Sequence, residues 1–142
     1  MSFSSDADIA ALTDAFRSRT LPKEKWTHAA HWAAALSLIA EDEAAAWRDM
    51  PDMIRAYNES VGGRNTDTEG YHETITIASL RAAADALADA PAGTPLHIVL
   101  ASLIAGPCGK PDWVFDYWTR DRLFSVKARR EWVAPDVKPL PF

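Results

Sequence analysis

The chain has 142 residues, one cysteine, and 20 acidic against 15 basic side chains, a formal net charge of −5. A chain of this length buries roughly two-thirds of its unfolded surface around one core, so it needs neither a disulfide nor a structural metal, and a lone cysteine allows no internal disulfide. The acidic balance opposes generic binding to phosphate backbones, the longest apolar run (96–105) is about half a bilayer crossing, and MSFSSDADIA lacks a basic-then-apolar leader; the expectation is one cytoplasmic domain with no nucleic-acid and no membrane partner.

Alanine is frequent, valine and isoleucine are sparse, and apolar residues recur at spacings of three and four, which together predict an all-α fold. The expected architecture is a compact single-domain helical bundle of five to six helices. A first helix spans 6–19, capped by Ser5 or Asp6, with Ile9, Leu12 and Phe16 facing the core and a stop at Leu21-Pro22. The second covers 27–40. The third covers 41–60 and contains Pro51, which should kink or break it at Met50, with Gly62-Gly63 closing it.

Thr66-Asp67-Thr68-Glu69 fits the capping-box pattern, so a fourth helix is expected to start there and run to about 90. A fifth occupies 96–105, ended by Gly106-Pro107, and a sixth occupies 112–124. Three prolines within 134–142 forbid regular helix there, and Trp132 and Phe142 suggest that this extended tail docks on the body. The tail half is also the basic one: from residue 109 onward there are 7 basic and 5 acidic side chains, against 8 and 15 before it. Ser125 to Trp132 should pair with the acidic body, but surface ion pairs are weak, so packing of Trp132 should dominate.

Candidate chemistry concentrates in two stretches. In Trp26-Thr27-His28-Ala29-Ala30-His31-Trp32 the two histidines are three apart and share a helix face that continues through Ala35, Leu38 and Ile39. In Asn65 to Thr74, His72 and Glu73 stand at a helix start, and Glu73 continues at helical spacing into Ile77, Leu80, Ala84 and Leu87. A carboxylate heading an apolar stripe calls for a partner or a metal. Three histidines and an inward carboxylate near helix starts therefore make His28, His31, His72 and Glu73 the expected ligands of one divalent metal, zinc first, with iron, nickel or copper as alternatives.

Three protein ligands would leave a position for water or substrate, with Glu73 as base or fourth ligand and Tyr71 as a further catalytic hydroxyl. Arg64, Asn65, Trp32 and Tyr57 are the expected substrate contacts. The plainer alternative makes His28 and His31 hydrogen-bonded core histidines and gives His72 a capping role or a pairing with Glu69 or Glu73. His97, ahead of an apolar helix, reads as structural. Cys108 lies in a turn beside Lys110, which would favour the thiolate, yet a nucleophile there also needs a histidine partner.

The blocks Leu21 to His28, Asn65 to Thr76, and Tyr117 to Pro141 resemble the signature stretches of a small uncharacterised bacterial family of helical proteins. That resemblance covers about half the chain and implies a helical single domain, with no activity to carry over. Thiol-transferase bundles of the DinB type are similar in architecture only, since they use HxxxH where this chain has HxxH.

The expected function is a metal-dependent enzyme, a hydrolase or lyase, acting on a small-molecule substrate. The alternatives are a small-ligand or metal-binding accessory protein without turnover, and an interaction module using the aromatic tail, with a homodimer favoured by the aromatic content.

Overall fold

The computed structural model describes residues 2–142. Among them there is no strand, and seven α-helices follow in order: α1 (Asp6–Arg17), α2 (His28–Glu41), α3 (Glu43–Ser60), α4 (Glu73–Asp89), α5 (Leu96–Ala105), α6 (Arg120–Leu123) and α7 (Val126–Arg130). The fold is all-α. None of the helices is long and apolar enough to cross a membrane.

Side-chain oxygens one residue ahead of the first two helices set where they begin. Ser5 Oγ accepts the Asp8 N–H at 3.2 Å, and Thr27 Oγ1 accepts the Ala30 N–H at 3.2 Å. On α1 the expected Ile9, Leu12 and Phe16 are buried. On α2 the buried set includes Trp32, Ala33, Ala34, Ala35 and Leu36 in succession, so this helix is apolar round its whole circumference, as a central helix must be. It packs against α1, α3, α4 and α5, and its alanines let those neighbours approach closely.

Three expectations are corrected. Of the kink or break expected at Met50, the break does not occur, because α3 continues through Pro51. An interior proline costs about 3 kcal/mol, which burial of Met50 and Tyr57 on either side offsets at roughly 2 kcal/mol each. The Thr66–Glu69 motif forms a turn instead of a helix start: Thr66 Oγ1 accepts the Glu69 N–H at 3.2 Å, while the Thr66 N–H returns to the Glu69 carbonyl at 2.9 Å. Gly70 then turns the chain at φ +81°, where a Cβ would sit 1.9 Å from the Arg64 carbonyl oxygen, and α4 begins only at Glu73. The buried face of α4 runs through Thr74, Ala78 and Ala82, which leaves Glu73 half-buried on its flank.

The expected helix over 112–124 is instead a 3₁₀ turn (Trp113–Asp116) followed by α6, and α7 follows after Ser125. Thr119 and Ser125 act as N-caps that restart the helix, and Trp118, fully buried, sends its indole N–H to the Val133 carbonyl at 3.0 Å. The tail from 134 is non-helical and docked. Asp136 accepts from the Thr119 N–H at 2.8 Å and hydroxyl at 2.7 Å, the Val137 N–H donates to the Tyr117 carbonyl at 2.9 Å, and Phe142 lies 6.1 Å from Trp113, ring centre to ring centre.

Candidate functional site

A cavity of about 360 Å³ opens between α2, α3, α4 and the turn at 111–114. From α2 it takes His28, His31, Trp32 and Ala35; from α3, Met50 and Ile54; from α4, Ile75, Thr76, Ser79 and Leu80; and Pro111, Trp113 and Val114 close it. The wall is mostly apolar, and among the described residues its only ionisable side chains are the two histidines.

Those histidines are held by backbone carbonyls, which fixes where their protons sit. A carbonyl oxygen only accepts, so the contact of His31 Nδ1 with the Thr27 carbonyl at 2.7 Å places the hydrogen on Nδ1 and leaves Nε2 with its lone pair. Likewise His28 Nε2 donates to the Cys108 carbonyl at 2.8 Å, a carbonyl that also receives the Trp32 indole N–H at 3.1 Å. In neutral His28 the lone pair is on Nδ1. Neither His31 Nε2 nor His28 Nδ1 has a hydrogen-bond partner among the described residues.

His31 is further positioned by Trp26, whose ring lies 3.9 Å away and itself stacks on Phe16 at 4.4 Å. Solvent reaches the imidazole, yet protein atoms crowd it, and this burial lowers its pKa below the ordinary histidine value. The Thr27 carbonyl opposes that effect, and His28 adds to it. At neutral pH His31 is uncharged and presents an acceptor.

His72 does not join this pair. It is the N-cap of α4: Nδ1 accepts the Ile75 N–H at 3.1 Å, and Nε2–H donates to the Leu123 carbonyl at 2.6 Å. Both nitrogens are occupied, and burial lowers its pKa. Glu73, expected as base or ligand, accepts the Tyr71 hydroxyl at 2.5 Å and does not line the cavity. Tyr71 has its own pKa raised by burial first and by that bond second, so it stays an un-ionised phenol near neutrality and gives up its proton poorly. Among the described residues no three His, Cys, Asp or Glu side chains stand together as a metal-holding group.

Of the expected substrate contacts, Trp32 lines the cavity and the others do not. Tyr57 is core, with its hydroxyl on the Leu21 carbonyl at 2.9 Å. Asn65 ties the 62–72 loop together, donating to the Arg55 carbonyl at 3.0 Å and accepting from Asn58 and from the Tyr71 N–H. Arg64 is exposed, away from the cavity. Cys108 contributes its carbonyl, while burial raises its thiol pKa, overturning the expectation that Lys110 would favour the thiolate.

The wall residues that sequence reasoning passed over are Met50, Ile54, Ile75, Thr76, Ser79, Pro111 and Val114. Thr76 and Ser79 carried a readable signal, two hydroxyls three apart on one face of α4. Comparison with family models, with curated proteins and with solved structures finds no match for the chain.

Proposed function

We propose that this chain binds a small organic molecule in the α2–α3–α4 cavity, with His31 as its principal polar contact. The observation that carries this reading is the free Nε2 of a neutral, oriented imidazole on the wall of an otherwise apolar cavity of about 360 Å³. Such sites combine apolar walls with few fixed polar groups. The Thr27 hydrogen bond and the Trp26 contact hold the ring, so the acceptor is oriented before a ligand arrives.

A second reading is supported by the two imidazoles together. His28 and His31 both line the cavity and each keeps one unpartnered nitrogen, so a divalent metal completed by water or substrate is the form in which the metal-dependent enzyme would survive, without His72. One set of measurements separates the two. Aromatic compounds of one and two rings are screened by thermal shift against the protein and against Ser79→Phe, which fills the cavity from α4. Elemental analysis is run on protein purified without chelator.

Ligand-induced stabilisation in the parent that disappears in Ser79→Phe supports organic-ligand binding. About one equivalent of metal, lost in His28→Ala/His31→Ala, supports the metal reading. Neither result in a folded protein removes both.

A further inference from the structure

We infer that the ligand class of this cavity is a neutral aromatic or alicyclic molecule of about two rings carrying a hydroxyl group, an inference that rests on the small-molecule reading above. Size comes first. An apolar cavity of about 150 Å³ accommodates benzene, and this one measures about 360 Å³, so a single ring would leave much of it unfilled.

Charge comes next. Among the described residues no Lys, Arg, Asp or Glu lines the cavity. A carboxylate would enter without a cation and an ammonium without a carboxylate, and an unpaired charge brought against an apolar wall loses water without gaining a partner. The ligand is therefore neutral.

Hydrogen-bond polarity then selects the functional group. The wall's own hydrogens are nearly all committed within the protein: His28 and Trp32 to the Cys108 carbonyl, His31 to the Thr27 carbonyl, the Thr76 hydroxyl to the His72 carbonyl at 2.8 Å, and the Ser79 hydroxyl to the Ile75 carbonyl at 2.7 Å. What remains is a set of acceptors, His31 Nε2 and His28 Nδ1, supplemented by the lone pairs of two hydroxyl oxygens. Trp113, which also lines the cavity, has an indole N–H with no protein partner among the described residues. An ether or ketone brings no hydrogen for the imidazole and leaves it unpaired once water is displaced. A hydroxyl donates to the imidazole and keeps lone pairs for an indole, so it suits both kinds of wall group.

Calorimetric titration with four probes sharing one ring system tests this: 2-naphthol, 2-methoxynaphthalene, 2-naphthoate and 2-naphthylmethylammonium, each against the parent, His31→Phe and His31→Gln. The expected order in the parent is naphthol first, ahead of the methyl ether by about five- to tenfold, the worth of one net hydrogen bond of ~1 kcal/mol. His31→Phe should erase that ratio while still binding the ether, and His31→Gln, which restores an acceptor, should recover part of it. A parent that binds naphthol and its ether equally, or that prefers either charged probe, overturns the hydroxyl assignment and leaves the small-molecule reading standing. No binding of any probe to the folded parent removes that reading as well. The parent's own ranking keeps the test decisive even where a His31 variant fails to fold.

Discussion

Three helix starts in this molecule carry histidines, and two of them, at α4 and α2, use theirs in opposite ways. At the head of α4, His72 is buried and both ring nitrogens are committed, one to the Ile75 N–H and one to the Leu123 carbonyl. At the head of α2, His31 and His28 each give one nitrogen to a backbone carbonyl and keep the other. The difference lies in what caps the helix. Thr27 caps α2 with its hydroxyl, which relieves the histidines of that task, whereas α4 has no other N-cap and its histidine performs the duty. A histidine is thus available for ligand chemistry where a neighbouring residue already satisfies the local backbone.

The largest expected effect comes from breaking the α4 side. His72→Ala removes a cap and leaves the Leu123 carbonyl without its donor, together about 2–4 kcal/mol of stability. His72→Asn should recover roughly the capping half. His31→Ala should cost under about 1 kcal/mol, since solvent reaches the ring and it gives up a single hydrogen bond. Urea unfolding of the three variants measures this, and similar losses for His72→Ala and His31→Ala would abolish the distinction between a capping and a free histidine.

Removing the tail after Ala134 is next in size. Half-buried Leu140 and Phe142 go with it, at about 1 kcal/mol each, so the loss should be near 2 kcal/mol. Phe142 packs on Trp113, which closes the cavity, while the His72 bonds lie elsewhere. Truncation should therefore weaken naphthol binding more than it disturbs α4. Hydrogen exchange at the Ile75 amide reads the second half: increased exchange there, with binding unchanged, would reverse the expected coupling.

Proton linkage sharpens the same contrast. His72 and His31 both have folded pKa values below the ordinary 6.5, because burial disfavours the imidazolium. The unfolded chain therefore binds more protons between those values and 6.5, and stability is complete above about pH 7 and falls as the pH drops through 6.5. Buried His72 contributes at most ~1.4 kcal/mol per pH unit, and solvent screening makes the share of exposed His31 smaller. Asp6, Asp8, Asp49 and Asp136 are held below the usual carboxylate value by hydrogen bonds, so their effect is confined to below about pH 4. His72→Asn should reduce the slope between pH 6.5 and 5, and an unchanged slope would mean that His72 does not titrate differently in the folded chain.

Much of this arrangement was legible in the sequence where the cause is local. Ser5 and Thr27 mark their helices, the i,i+3 spacing puts His28 and His31 on one wall, and the prolines fix the extended tail. What stayed hidden depends on distant backbone. The Leu123 carbonyl that occupies His72 is 51 residues away and the Cys108 carbonyl that orients His28 is 80 away, and no spacing rule encodes either. The Thr66–Glu69 motif misled because Gly70 turns the chain before a helix can propagate, and the 112–124 pattern misled because burial of Trp118 and the caps at Thr119 and Ser125 outweigh helical periodicity. Glu73 looked unpartnered because its partner, the Tyr71 hydroxyl, returns only once the chain bends between them.

The smallest effect concerns the ion pair that joins the two sides of the His72 end. Arg130 meets Asp67 through two contacts of 2.7 Å, both side chains solvent-exposed, and so links α7 to the loop that leads into α4. Geometry of this quality invites the view that the pair holds the loop. Solvent screening and side-chain entropy argue otherwise, and Arg130→Ala should change stability by about 0.5 kcal/mol or less. The same connection is carried inside by Thr74, whose Oγ1 lies 2.7 Å from the Ala128 carbonyl and accepts the Val133 N–H at 3.1 Å in a buried position. Thr74→Val keeps the shape and removes those bonds, leaving a buried N–H and carbonyl unpaired, so it should cost several times more than Arg130→Ala. Equal losses for the two variants would shift the anchoring of α4 from its buried hydroxyl and histidine to its surface charges.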